Sequence, residues 1–255
     1  MQNVRVNQRE LRVMNITIKV PEGTPINSPT AELSFEDLNA LPRLPGRNRD
    51  GFEGGTAIVI GTPDPNDPNA IIADDVFVEP AENVVLGTVG PGLSTILDVP
   101  VVFLTDSRIP STAINSFGFE IDPADVQGGE FGGVEGYFAG GTLYVHTAEV
   151  DGPIPPASNP DQPQVSVLRV RCDPGGRIEV RGGAYVPSGN ANNTIVVRNL
   201  DTRTNFGSTQ AEPDEEGSPQ FGEYRFREDV ETCPNRIRVI MRVPGQRNPR
   251  VNVNL

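Results

Sequence analysis

Apolar and polar residues alternate along most of this chain, with the two-residue period of a β-strand. In residues 1–20, MQNVRVNQRELRVMNITIKV, the apolar positions Val4, Val6, Leu11, Val13, Ile16, Ile18 and Val20 largely alternate with polar ones. TAIVIG (56–61) and AIIADDVFV (70–78) predict a hairpin around the loop Pro63–Asn69. VVLGTV (84–89), ILDVPVVFL (96–104), VEGYF (134–138) and TLYVHTAEV (142–150) predict four further strands. Only LSFEDLNAL (33–41) predicts helix, about two turns from a Ser34 cap with Asp37 near the capping-box position. Pro42 and Pro45 stop it.

The strands fall into groups. TPINSPTAELSFEDL (24–38) matches IPSTAINSFGFEIDPADV (109–126), each with a Pro entry, a polar Ser/Thr/Asn patch and an apolar-acidic stretch. IGTPDPNDPNAIIADDVFV (60–78) matches EGYFAGGTLYVHTAEV (135–150), with Ile71 opposite Leu143, Ile72 opposite Tyr144 and Val78 opposite Val150. An internal repeat is the first thing to look for, because missing one mis-assigns the fold. The prolines of DGPIPPASNPDQPQ (151–164) predict a semi-rigid linker. Beyond it, VSVLRVRC, RIEVRGGAYV, TIVVRNL, FGEYRFR, RIRVIMRV and RVNVNL are separated by turn signals at sandwich-like spacing. Arg alternates with apolar residues in RIRVIMRV (236–243), which predicts one wet face and one core face. The expected fold is therefore all-β, with two related small β-barrel-like modules (1–82 and 83–152), a Pro-rich linker (153–164) and an immunoglobulin-like β-sandwich (165–255).

GGTAIVIG (54–61), ADDVFVEPAENVVLGTV (73–89) and VEGYFAGGTLYVHTAEV (134–150) resemble small β-barrel repeats of uncharacterised bacterial extracytoplasmic proteins. LRVRCDPGGRIEVRG (168–182) and TIVVRNLDTRTNFGS (194–208) resemble bacterial immunoglobulin-like domains. The resemblance implies a fold and a compartment and is nearly silent on activity. It departs from antibody-type domains in having no Trp to pack against a disulfide.

Charge narrows the partners. Residues 1–161 hold 8 basic and 23 acidic side chains, and residues 162–255 hold 13 and 11. An acidic front disfavours nucleic acid and anionic membranes, both of which need a basic footprint. It serves solubility, or it meets the more basic rear of a neighbouring copy. No apolar run approaches the roughly 18 residues of a membrane span, and no signal peptide precedes the first strand. A mature secreted product and a cytosolic protein both fit that pattern.

Candidate chemistry is sparse. Cys172 and Cys233 are the two cysteines. A disulfide between them closes a loop of about 60 residues, contributes roughly 4 kcal/mol and implies an oxidising compartment, extracellular or at a cell surface. Two reduced thiols are the alternative. The loop DPNDPN (64–69) offers Asp64, Asn66, Asp67 and Asn69 as oxygen ligands for Ca²⁺. It lacks the Gly and bidentate Glu of an EF-hand, and such strings are also ordinary turn chemistry. No other cofactor is expected. His146, the sole histidine, is expected to be a structural strand residue without a proton-shuttle partner. Glu212, Asp214, Glu215 and Glu216 are expected to be solvated charge.

Enzyme signatures such as G-x-S-x-G, H-E-x-x-H, the phosphate loop and the dinucleotide fingerprint are missing. The two ends, with Val4 and Val6 in NVRVN and Val251 and Val253 in RVNVNL, are candidate assembly strands. Each is either an edge strand of its own module or pairs with a neighbouring molecule. The expected function is a structural subunit of a bacterial surface assembly or filament, without catalysis. An adhesin or carbohydrate-binding module, taking a glycan or surface ligand, is the alternative. On the assembly expectation, removing residues 1–10 leaves folded monomers that fail to polymerise.

Overall fold

The computed structural model describes residues 1–214 and 218–255. Among the described residues there are twenty-one strands, four 3₁₀ turns and no α-helix. None has a helix long and apolar enough to cross a membrane. The chain divides into two compact units, residues 1–112 with 126–149 and residues 113–125 with 150–255.

The first repeat comprises β1 (Asn3–Arg5), β2 (Glu10–Val13), β3 (Ile16–Lys19), β4 (Ile26–Asn27), β5 (Thr56–Pro63) and β6 (Ala70–Glu79). Residues 1–20 are extended as expected, but as three strands. A 3₁₀ turn at Val6–Gln8 ends on Arg9 in the left-handed region, with φ 48°. Met14 and Asn15, at φ 50° and 67°, then fold β2 onto β3. A two-residue turn with both centres at positive φ matches the natural twist of a hairpin. The sheet order is β1-β2-β3-β6-β5, with β3 parallel to β6. Its two ends touch only ahead of β5, where the Met1 amino group donates to the Gly55 carbonyl and the Gly54 N–H donates to the Met1 carbonyl, while β5 itself pairs only with β6.

The second repeat uses the same devices. It comprises β7 (Asn83–Thr88), β8 (Thr95–Ile96), β9 (Val99–Phe103), β10 (Thr112–Asn115), β11 (Phe131–Ala139) and β12 (Thr142–Val150). A 3₁₀ turn at Pro91–Leu93 leaves Leu93 at φ 52°, and Leu97 and Asp98, at φ 47° and 63°, fold β8 onto β9. Strand β9 runs parallel to β12 with Val101 opposite Leu143, where the first repeat has Ile18 opposite Ile71. The order β7-β11-β12-β9-β8 returns to β7 through a bridge between Val89 and Ile96. Both repeats therefore share one strand order, that of a small five-stranded Greek-key barrel, paired along β7–β11 in the second repeat and joined only at Met1 and Gly54–Gly55 in the first.

The crossover segments also correspond. The Ile-Asn-Ser strings at 26–28 and 114–116 each lead through an antiparallel bridge, Asn27–Glu32 and Ile114–Glu120, to a 3₁₀ turn. The expected helix is only such a turn, Glu36–Leu38. Its capping box does form: the Ser34 N–H and hydroxyl donate to the Asp37 carboxylate, and the Asp37 N–H donates back to the Ser34 hydroxyl.

The expected boundary at 82/83 separates two sheets but not two cores. Leu104, Ile109 and Tyr137 of the second repeat lie in one buried cluster with Val4, Leu11, Phe35 and Val76 of the first. The Tyr137 hydroxyl donates to the Pro45 carbonyl at 2.8 Å, and its ring stacks on Tyr144 at 5.2 Å. The buried Arg108 guanidinium donates to the carbonyls of Ala40 and Pro42 and pairs with Asp106 at 2.6 Å. Barrels this small enclose little apolar volume, so sharing a core supplies the burial each lacks alone.

In the second unit, β13 (Gln164–Val165) and β14 (Arg169–Cys172) both pair with β15 (Arg177–Tyr185). Beyond β15 lie β19 (Phe221–Asp229) and β18 (Glu212–Pro213). The facing sheet has the order β17 (Asn205–Gln210), β16 (Thr194–Asn199), β20 (Arg236–Arg242), β21 (Arg250–Asn254). That is the immunoglobulin arrangement of A-B-E-D against C′-C-F-G. Ile178, Val180, Ile195, Val197, Ile237, Val239 and Met241 form its core, which holds no Trp. The Cys172–Cys233 disulfide joins the end of β14 to the segment before β20, with Cys233 exposed.

Residues 153–164 do not form a free linker. Ile154 and Pro156 are buried, Asn115 Nδ2 donates to the Ile154 carbonyl at 2.7 Å, and the Ala157 N–H donates to the Glu120 carbonyl. Asn115 is wholly buried, and its amide needs an acceptor that the extended Pro-rich chain provides. Phe117 and Phe119 pack on Phe221 in the same unit, at centroid distances of 4.9 and 6.3 Å.

Candidate functional site

On β15 the alternation sends Ile178 and Val180 into the sandwich core, while Glu179 and Arg181 point to the opposite face. Cross-strand register then decides the neighbours. Glu179 stands between Arg171 of β14 and Arg227 of β19, and Arg181 stands between Arg169 and Arg225. The Glu179 carboxylate accepts from Arg181 Nε at 2.6 Å, Arg227 Nε at 2.7 Å and Arg225 Nη2 at 3.0 Å, with Arg171 Nη2 at 3.5 Å.

Glu179 is 2% exposed because these side chains cover it, while the four arginine side chains remain 42–50% exposed. Burial pushes the Glu179 carboxyl up, but hydrogen bonds from Arg227 and Arg181 outweigh this and hold it below the usual range. Arg169 makes no ion pair among the described residues. Four guanidiniums thus share one carboxylate, and Arg169 stands in the next row without touching it. The face is basic in a unit that carries 13 basic and 16 acidic side chains overall, against 8 and 18 in the first unit.

The candidate calcium loop is differently committed. Asp64 Oδ1 accepts from the Asn66 N–H at 2.8 Å, and Asp67 Oδ1 accepts from the Asn69 N–H at 3.0 Å, so both carboxylates build Asx turns. Asp64 Oδ2 lies 2.6 Å from Lys19 Nζ, and that hydrogen bond is the main cause of its lowered pKa. The single lysine of the chain supplies the cation here. Among the described residues, no three His, Cys, Asp or Glu side chains are grouped to hold a metal ion.

The two ends of the chain differ. Val4 is 6% exposed, sits opposite Leu11 and belongs to the core of the first unit, against which Val6 also packs. The N-terminal strand is therefore the edge strand of its own barrel, and removing residues 1–10 takes buried side chains out of that core. Val251 and Val253 lie on β21 opposite Val239 and Ile237 and pack against the sandwich core. Strand β21 is the last of its sheet, so its outer edge is open.

A second open edge was not legible as such. Strand β5 pairs only with β6, and Ile58 and Ile60 on it are 57% and 63% exposed. No charge occurs from Thr56 to Pro63, and a bulge follows Ile60. Natural edge strands are usually blunted by Lys, Pro or twist. This one has its bulge and Pro63 only at the far end.

His146 is buried in β12, with Nδ1 3.0 Å from the Thr147 hydroxyl and Nε2 without a hydrogen-bond partner among the described residues. Burial lowers its pKa, partly opposed by Glu82. Of the acidic run near β18, Glu212 pairs in register with Glu223, and Glu215 and Glu216 lie outside the described residues. Comparison with protein-family models finds no match, nor does comparison with curated proteins or with solved structures.

Proposed function

We propose that this chain is a structural subunit of an extracellular bacterial assembly, in which the β21 strand of one copy adds to the open β5 edge of the next. The observation that carries this is the uncharged run Thr56–Ile60, with its exposed Ile58 and Ile60. Strand addition satisfies unpaired N–H and C=O groups and places alternate side chains on the neighbour. β21 suits the role because it is short, ends its sheet and brings Arg250 toward a first unit rich in carboxylates. The contact joins different surfaces, so it need not close and can propagate as a fibre. The disulfide is compatible with an oxidising compartment. No chemical step is assigned to the chain.

The I58K/I60K variant tests this by sedimentation velocity. Both positions are exposed, so folding should be affected by no more than about 0.5 kcal/mol. Wild-type protein is expected to form species larger than a monomer as concentration rises, and the variant to stay monomeric over the same range. A wild type that remains monomeric at its solubility limit, or a variant that assembles equally well, overturns the proposal.

A further inference from the structure

We infer that the outer face of the β14–β15–β19 sheet binds an acidic polysaccharide, a linear sugar polymer with closely spaced sulfate or carboxylate groups. The inference is independent of strand addition at β5. Its basis is the cross-strand row Arg169–Arg181–Arg225, three like charges directly opposite one another. Such rows are destabilising in a sheet. Asp229 on the same face is taken up by Arg177 and Glu223 lies beyond the row, so within the two rows five arginines meet one carboxylate. Glu179 sits in the adjoining row, where it holds Arg181, Arg225 and Arg227 by short hydrogen bonds. Those bonds fix the guanidinium planes while leaving other N–H groups directed at solvent. A planar guanidinium pairs bidentately with an oxyanion, and a fixed one loses less freedom on binding.

The geometry selects the ligand class. Adjacent strands lie about 4.8 Å apart, so the row spans roughly 10 Å, and the two rows are about 7 Å apart along the strands. The face is open, so a lone small anion would keep most of its water there. A chain with several anionic groups can engage the row at several points. A protein partner would need an apolar, aromatic-rich centre to its interface, and the outward positions of both rows hold only Arg and Glu. Single-stranded nucleic acid would need aromatic side chains for base stacking, and the rows have none. Past its short pairing with β18, β19 adjoins a cleft lined by Ser208, Thr209, Arg225, Arg227 and Glu228, whose two hydroxyls suit sugar oxygens.

The test uses the full chain on immobilised heparin as the sulfated arm and polygalacturonate in calorimetry as the carboxylate arm. The key variant is R169E, since Arg169 does not touch Glu179, with R169E/R225E as a second variant and unchanged melting as the folding control. Wild-type protein is expected to bind one of the two polymers at least about tenfold more tightly than R169E near 0.1 M salt. The slope of log affinity against log salt should fall by about one or more, as for lost ionic contacts on other polyanions. I58K/I60K should bind as wild type does, which separates this site from the assembly edge. Equal binding by wild type and R169E overturns the inference. So does failure to bind either polymer, tighter binding to DNA than to both, or self-association that R169E alone abolishes without polysaccharide binding.

Discussion

Removal of residues 1–5 is expected to unfold the whole first unit, including the β11–β12 hairpin more than 120 residues away in sequence. Met1 and Val4 are buried. Two buried apolar side chains contribute about 3–6 kcal/mol together. The deletion also strips β2 of its partner and leaves the Gly54 N–H and Gly55 carbonyl without theirs, at about 1 kcal/mol or more each. A domain is stable by only about 5–15 kcal/mol, so the loss is of the same size as the whole. Hydrogen exchange read by mass spectrometry should show lost protection across residues 131–150. Full protection there in the truncated protein would mean that the two repeats stand on separate cores.

The second unit should depend as strongly on its disulfide. Cys172 and Cys233 are separated by 61 positions. Freeing a loop of that length adds entropy to the unfolded chain worth about 4 kcal/mol. C172A/C233A should therefore lower the melting temperature of this unit by roughly 10–25 °C. The first unit contains no cysteine, so its transition should stay where it is. A shift of a degree or two, or an equal shift of both transitions, would show that the crosslink carries little of the sandwich's stability.

These expectations separate what the letters of the chain disclose from what they conceal. Alternation disclosed the strands, because a half-buried strand must alternate to have one apolar face. It disclosed the sandwich and the hairpin around Pro63–Asn69 in the same way. It concealed the turns Met14–Asn15 and Leu97–Asp98. Positive φ at both centres usually selects Asn-Gly or Asp-Gly, and a Met or Leu in first place carries no such signal. ILDVPVVFL consequently read as one strand where the chain folds back on itself. The same two turns are the firmest evidence of internal repetition, firmer than the letter matches.

Prolines misled in one place. The composition of 153–164 predicts a semi-rigid linker and gives no sign that its Ile154 is buried or that the Ile154 carbonyl accepts from Asn115. The Arg face shows the opposite limit. Each arginine looked like one polar position of an alternating strand, and only the register of β14, β15 and β19 brings four of them onto Glu179 and a fifth, Arg169, into the next row. Register depends on strand pairing between residues about 50 apart, which no local window contains. The burial of Val4 on the N-terminal strand was hidden for a related reason. The strand's alternation was correct, but its partner strand lies close by in the same barrel, with Val4 opposite Leu11.

The account rests on β5 being an edge that a neighbouring copy covers. Hydrogen exchange of the Thr56–Ile60 amides, followed as protein concentration rises, tests that most directly. Protection should grow at these amides in step with assembly, and at β21 on the other side of the same contact. Assembly that leaves Thr56–Ile60 exchanging as fast as in the monomer would contradict it.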